Sequence, residues 1–91
     1  MANKKTNINT INNINMARQS LIEELQAQKW YDERINVTDD KTLKQMLEHN
    51  RDDEKEHASL LIEWLRRNDI PLDKELKEIL FKNKDLAELW D

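Results

Sequence analysis

The chain has 91 residues, with 15 Lys and Arg against 19 Asp and Glu, and it contains one proline, no glycine and no cysteine. This length allows one small domain, and the missing glycine and cysteine exclude glycine-rich nucleotide loops, disulfides, Fe–S clusters and thiolate zinc sites. A net charge of −4 argues against a nucleic-acid partner. No apolar run approaches the roughly 20 residues that span a membrane, and no secretory signal is evident, so we expect a cytoplasmic protein with no membrane partner.

The N-terminal segment is rich in asparagine, with six among the first fifteen residues. Asparagine competes with the helical backbone for hydrogen bonds, so we predict a flexible arm over residues 1–9. Ile8, Ile11 and Ile14 recur at three-residue spacing. This spacing leaves open whether the residues after Thr10 join the helix that follows.

Two long helices are predicted after this arm. Good helix formers and periodic apolar residues favour helices over residues 16–36 and 41–67. The short loop between them offers Thr38, Asp39 or Asp40 as the N-cap of the second helix. Two helices joined by a tight loop form an antiparallel hairpin.

A short third helix is predicted after Pro71, where an amphipathic segment covers residues 72–82. The helical domain therefore spans residues 10–82, and residues 83–91 form a C-terminal tail. The predicted fold class is all-α, with two long antiparallel helices and a short C-terminal helix. Because two helices alone cannot enclose an apolar stripe, we expect two hairpins to dimerise into a four-helix bundle.

Polar residues interrupt the predicted contact face between the long helices. Read at 3.5-residue spacing, the second helix presents Glu54 and His57 among leucines, and the first presents Glu24. Glu54 and His57 are three residues apart, so both point to one side of their helix. Each hairpin thus offers one Glu and one Glu-x-x-His, which is half of the ligand set of a di-iron carboxylate bundle. A two-fold dimer would supply the whole set.

The same residues allow another interpretation. Acidic residues are dense over residues 51–56, so this region is also consistent with an exposed charged face. A polar pair that sets helix register in a metal-free dimerisation module is a further alternative. If a metal binds, carboxylates and imidazole without thiolate suit Fe, Mn or Zn. Spacing alone leaves these alternatives open.

Parts of the sequence resemble the encapsulated ferritin family. The resemblance is carried by residues 49–58 (His-Asn-Arg-Asp-Asp-Glu-Lys-Glu-His-Ala), by residues 63–69, and by residues 23–27 with 30–32. It extends over residues 21–81. It implies a ferritin-like protein that dimerises to build a ferroxidase centre with two Fe ions per dimer interface, with Ca, Zn or Mn as substitutes. It also implies assembly into a ring-shaped decamer.

The resemblance assigns roles to individual residues. Glu24, Glu54 and His57 match the iron ligands, and Glu23 matches a carboxylate of the site through which metal enters. Gln26 stands where the family has a second carboxylate at that site, which weakens the attraction for Fe(II).

Trp30 and Tyr31 match an aromatic pair beside the family's metal centre. Tyr31 is a candidate catalytic residue that would donate a hydrogen bond or an electron, and its alternative role is packing between helices. The resemblance further implies that this chain is cargo of an encapsulin nanocompartment. The family's Gly/Ser/Leu-containing docking peptide has no counterpart after Phe81, and residues 86–90 are a candidate substitute.

Overall fold

The computed structural model of the protein describes residues 8–90. It contains helices α1 (Ile8–Val37), α2 (Lys41–Asn68) and α3 (Ile70–Ile79), followed by a 3-10 turn at Leu86–Glu88. No strand occurs within residues 8–90, so the predicted all-α class with two long helices and one short helix is confirmed. None of these helices is long and apolar enough to cross a membrane.

Helix α1 begins at Ile8, well before residue 16 and within the segment predicted as a flexible arm. Ile14 is 8% exposed and packs in a buried cluster with Ala17 and Leu65. Tertiary burial of this kind stabilises a helix against the weak preferences of its asparagines. Residues 1–7, the remainder of the predicted arm, lie outside the described residues.

The hairpin loop is residues 38–40, and Asp40 is the N-cap of α2 among the three predicted candidates. Its Oδ1 accepts a hydrogen bond from the backbone N–H of Leu43 at 2.8 Å, and its own N–H donates to Thr38 Oγ1 at 3.2 Å. The cap satisfies one of the backbone donors that the first turn of a helix leaves free. α2 then continues for 28 residues, a rod of roughly 42 Å.

Asp69 separates α2 from α3. Its backbone N–H donates to the carbonyl of Leu65 at 2.8 Å, which closes α2, and its side-chain Oδ1 accepts from the N–H of Leu72 at 3.2 Å, which caps α3. Pro71 lies in the first turn of α3, where a helix needs no N–H from it. The third helix therefore begins and ends earlier than predicted, and beyond its end Phe81 is fully exposed with φ of 59°.

The apolar core of the hairpin is small. Within residues 8–90 the buried hydrophobic residues are Ile14, Ala17, Ile35, Ala58 and Leu65, and no side chain is completely buried. Leu21, Leu61 and Leu72 pack around the cluster near the open end of the hairpin. A small domain with so little buried apolar surface depends on further contacts for its stability.

The C-terminal tail is largely exposed in the part that the structure describes. Leu86, the first residue of the 3-10 turn, and Trp90, which follows the turn, have 73% and 70% of their surface exposed. Residue 91 lies outside the described residues. The tail therefore adds little to the core of the hairpin.

Candidate metal centre

Glu24, Glu54 and His57 meet at the seam between α1 and α2. One ligand atom from each lies within 4.8 Å of the other two. The Nδ1 of His57 is 3.5 Å from Oε2 of Glu24 and 3.5 Å from Oε2 of Glu54. Among residues 8–90 this is the only group of three or more potential protein ligands that meets this distance.

The antiparallel pairing of the helices explains this arrangement. Glu54 and His57 occupy successive turns on one side of α2 because they are three residues apart. Glu24 lies on the facing side of α1, one turn before Gln28, and the Nε2 of Gln28 donates to the backbone carbonyl of Glu54 at 3.3 Å. The register of the hairpin thus brings a carboxylate from one helix to a carboxylate and an imidazole from the other.

The spacing of the three donors suits a metal ion. Ligand atoms about 2.1 Å from a tetrahedral metal lie roughly 3.4 Å from one another. The two distances of 3.5 Å from His57 are close to this separation and are longer than an ordinary N–H···O hydrogen bond. The donor set of two carboxylates and one imidazole, with no thiolate, suits Fe, Mn or Zn.

One oxygen of the group lacks a hydrogen bond. Oε2 of Glu24 is buried and has no hydrogen-bond partner, and its contact with His57 is 3.5 Å long. A buried carboxylate oxygen without a partner is costly for a folded protein. A cation held by Glu24, Glu54 and His57 would remove this cost, so the residues present fit a bound metal.

No lysine or arginine pairs with the carboxylates of the group in the part of the chain that the structure describes. Within residues 8–90, His57 is the only basic residue within 4.0 Å of the carboxylates of Glu24 and Glu54. These two side chains are 24% and 22% exposed, whereas that of His57 is 51% exposed. The site is therefore an acidic recess that is covered on the carboxylate side and open at the imidazole.

Glu23 and Gln26 lie on the outside of α1, and both are exposed. Oε2 of Glu23 accepts a hydrogen bond from Gln19 at 3.1 Å. Neither side chain belongs to the group formed by Glu24, Glu54 and His57. Within one chain, the predicted site of metal entry is thus separate from the three clustered donors.

The aromatic pair of α1 is divided between two environments. Tyr31 is partly buried, and the guanidinium carbon of Arg34 lies 5.7 Å from the centre of its ring, within the range of a cation–π contact. Trp30 is 46% exposed. Both rings lie on α1 within two turns of Glu24.

The chain matches a known protein family over most of its length. A family model described as EncFtn-like matches residues 2–83. The chain belongs to this encapsulated ferritin-like family. Its structure is also similar to the crystal structure of a protein from Nitrosomonas europaea, with a TM-score of 0.82 and 49% sequence identity over 91% of this chain and 90% of the other.

Two curated relatives of this EncFtn-like chain carry related names. A "Ferritin-like protein" of Thermotoga maritima is 48% identical over 73 residues, and an "Encapsulated ferritin-like protein" of Rhodospirillum rubrum is 50% identical over 62 residues. The matches cover 80% and 68% of this chain. They span 64% and 44% of the length of those relatives, so the chain corresponds to only part of each.

Two polar links between the helices of this EncFtn-like hairpin were not predicted from the sequence. One is the hydrogen bond from Gln28 to Glu54, and the other joins Arg51 Nη1 to Asp32 Oδ1 at 2.9 Å. Gln28 lies four residues after Glu24, so helical periodicity places it on the same contact face. Nothing in that pattern indicated which atom of α2 it would bind.

Proposed function

We propose that this chain is one subunit of a ferroxidase that oxidises Fe(II) to Fe(III) at a di-iron centre shared by two copies. The observation that carries the proposal is the cluster of Glu24, Glu54 and His57 with an unpartnered buried oxygen on Glu24. Membership of the encapsulated ferritin-like family supports the choice of iron over the other metals that suit these donors.

A single chain supplies too few donors for two iron ions. It offers two carboxylates and one imidazole, and the two-fold dimer doubles these to four carboxylates and two imidazoles. Ferritin-like di-iron sites use this set, in a bundle of four helices. The proposal therefore requires that a second hairpin covers the open side of the site.

The surface beside His57 is suited to a second hairpin. Met46, His57, Leu60 and Trp64 lie along one side of α2 at spacings of eleven, three and four residues. All four are exposed, with Met46 at 58% and Leu60 at 63% of their surface. Leu60 and Trp64 form a short apolar stripe next to the open edge of the metal site, with Met46 further along the same side beyond Asp53, and two copies would bury this stripe when they pair.

The chemistry of the reaction follows from these donors and from electron counting. Fe(II) is the substrate, and hard carboxylate oxygens bind both Fe(II) and Fe(III). Two Fe(II) ions each lose one electron, and one O2 takes up both electrons with two protons, which gives two Fe(III) and one H2O2. The four carboxylates hold the two ions close together and offset their positive charge as it increases.

Other side chains have supporting roles in this proposal. Glu23, exposed on α1, would attract Fe(II) before it reaches the centre, and Gln26 would add no charge there. Tyr31 is partly buried and would donate a hydrogen bond or an electron near the site. Trp30, with about half of its surface exposed, would be covered in the assembled protein.

We further propose that the dimers assemble into a ring-shaped decamer that is cargo of an encapsulin nanocompartment in the cytoplasm. The name of the Rhodospirillum rubrum relative supports the association with a capsid. The apolar side chains of the tail, Leu86 and Trp90, are exposed and are candidates for contact with the shell protein. In this setting the protein would oxidise iron, and the compartment would store the product.

The proposal is tested by adding Fe(II) to the purified chain in air. Ferric absorbance in the near ultraviolet is followed together with native mass. We expect rapid oxidation and a metal-dependent dimer in the wild type, and nearly complete loss of both in Glu24→Ala, Glu54→Ala and His57→Ala. Robust oxidation by these variants would overturn the assignment.

The same donors fit a different function. Two carboxylates and one imidazole also suit Zn or Mn, and such an ion would hold a helical dimer together without redox chemistry. The same native mass measurement distinguishes these functions. A dimer that keeps Zn or Mn and does not oxidise Fe(II) supports a structural site, and an inert dimer without metal supports a metal-free dimerisation module.

A further inference from the structure

Gln28 links the two long helices at the level of the candidate metal centre. Its Nε2 donates to the backbone carbonyl of Glu54 at 3.3 Å, in a partly buried position. Gln28 lies one turn after Glu24 on α1, so the two side chains are neighbours on the face that contacts α2. One residue thus touches the backbone of one candidate ligand and lies beside another.

Apolar packing fixes the helices only weakly at this level. The buried cluster of Ile14, Ala17 and Leu65 lies toward the open end of the hairpin, and Ile35 is buried near the loop. Between these two regions the buried hydrophobic residue within residues 8–90 is Ala58, whose side chain is a single methyl group. A contact face with few large interdigitating apolar side chains leaves the register of two helices weakly determined.

We propose that Gln28 is a positioning residue. It holds Glu54 at the position along the helix axis, and at the distance from Glu24, at which both carboxylates can bind one metal. This inference rests on the proposed iron site. Gln28 does not itself bind metal, so it contributes to the geometry of the site without being a ligand. Residues that orient ligands in this way typically change metal affinity by about 10–100-fold when they are replaced.

The link is expected to affect metal binding more than folding. Glu54 lies in the middle of α2, so its carbonyl keeps an intrahelical hydrogen bond when Gln28 is removed. No buried acceptor is left without a partner, and the cost to the metal-free fold is therefore small. The relative placement of Glu24 and Glu54, in contrast, loses a hydrogen bond between α1 and the backbone of Glu54, and the remaining contact at this level is the 3.5 Å approach of His57 to Glu24.

The test compares Fe(II) affinity in the Gln28→Met variant and the wild type under nitrogen. Methionine matches glutamine in length and helix preference but cannot donate the hydrogen bond. We expect Fe(II) binding, measured by competition with a chromogenic chelator, to weaken by about 10-fold. The thermal midpoint of the metal-free protein should change little. If the methionine variant loses helix content, Gln28→Asn is measured instead, because asparagine is polar but too short to reach the carbonyl of Glu54.

Asp32→Asn is the matched control. It weakens a different link between the same helices, the contact of Arg51 with Asp32 at 2.9 Å, which lies further from Glu24. We expect Fe(II) affinity close to that of the wild type. Equal weakening in both variants would show a general loosening of the hairpin and overturn the role of Gln28.

The possible failures are distinguishable. If the wild type binds Fe(II) and Gln28→Met binds it equally well, the positioning role is overturned and the iron site stands. If the wild type itself fails to bind Fe(II), the proposed function and the positioning role are overturned together.

Discussion

The Nδ1 of His57 lies 3.5 Å from Oε2 of Glu24, and this contact joins two helices at a level where their interface is polar. The same nitrogen is equally far from Oε2 of Glu54. Two close carboxylates with no lysine or arginine beside them destabilise the fold. The same two carboxylates can bind a cation, so we expect that metal binding and stability of the metal-free protein conflict at this site.

The conflict predicts the effect of Glu24→Gln on the metal-free protein. The amide removes one of two neighbouring negative charges and the unpartnered carboxylate oxygen, and it adds a donor that can reach Glu54. We expect the free energy of unfolding to rise by about 1 kcal/mol, while Fe(II) binding is lost. Urea unfolding in the presence of a chelator measures the first effect, and chelator competition measures the second.

The control for this prediction is Glu23→Gln, the same change at the neighbouring exposed residue. Surface substitutions of this kind usually change stability by less than about 0.5 kcal/mol. A clear destabilisation in Glu24→Gln would contradict the view that the metal-free site is strained by its charges.

The exposed stripe on α2 predicts an effect of Leu60→Glu on assembly. Leu60 is 63% exposed in the single chain and lies three residues after His57, so a second copy that covers the site would bury it. A buried, unpaired carboxylate disfavours association strongly. We expect the variant to stay monomeric in sedimentation at concentrations where the wild type associates.

Val37→Glu is the matched change outside this stripe. Val37 is the last residue of α1 and is 83% exposed, so the same charge there should leave the mass in solution unchanged. A wild-type dimer that persists in Leu60→Glu would show that association uses another surface.

The sequence predicted the helices and the clustered donors well because both depend on periodicity. Three-residue and four-residue spacing decides which side of a helix a residue occupies, and this was enough to bring Glu24 to the contact face that carries Glu54 and His57. Whether these residues bind iron stays a prediction, because spacing and distance do not select one metal.

The ends of the helices were predicted less well, since they depend on tertiary contacts. The burial of Ile14 against Leu65 extends α1 through an asparagine-rich segment that local preferences describe as non-helical. At the other junction, the two hydrogen bonds of Asp69 start α3 before residue 72. Neither contact is visible as a pattern within one helix.

Asp69 stabilises the fold through two separate side-chain contacts. Its Oδ1 caps α3 through Leu72, and its Oδ2 pairs with Arg18 of α1 at 3.2 Å. We expect Asp69→Ala to lower the free energy of unfolding by about 1–2 kcal/mol, mostly through the cap. Asp69→Asn keeps a capping side chain and loses only the ion pair with Arg18. Because the side chain of Arg18 is 55% exposed, this loss should lower the free energy of unfolding by only about 0.5 kcal/mol.

Denaturant unfolding of the metal-free protein measures both variants, with Arg18→Gln as the control that removes the ion pair and leaves the cap. Arg18→Gln and Asp69→Asn should agree closely. If Asp69→Asn is as damaging as Asp69→Ala, the ion pair rather than the cap is the main contribution.

The ion-pair network between α2 and α3 predicts a dependence of stability on pH. Arg66 binds both carboxylate oxygens of Glu63 at 2.7 Å, and its Nη1 reaches Asp73 of α3 at 2.6 Å. Hydrogen bonds from Arg66, and then from Arg67, lower the pKa of Glu63 from 4.5 to about 2. The pKa of Asp73 is also lowered, by Lys77 first and Arg66 second.

A carboxylate whose pKa is lower in the folded state stabilises the fold above its unfolded pKa and loses that contribution as pH falls through the folded value. The contribution of Glu63 is therefore complete above about pH 4.5 and disappears toward pH 2. We expect Glu63→Gln to be less stable than the wild type at pH 7, with the difference shrinking between these limits. Thermal unfolding followed by circular dichroism across this range measures it. Glu75→Gln, an exposed change on α3, is the control, and its stability relative to the wild type should not change over this pH range. If the stability difference between Glu63→Gln and the wild type stays constant down to pH 2, the effect does not come from the ionised carboxylate.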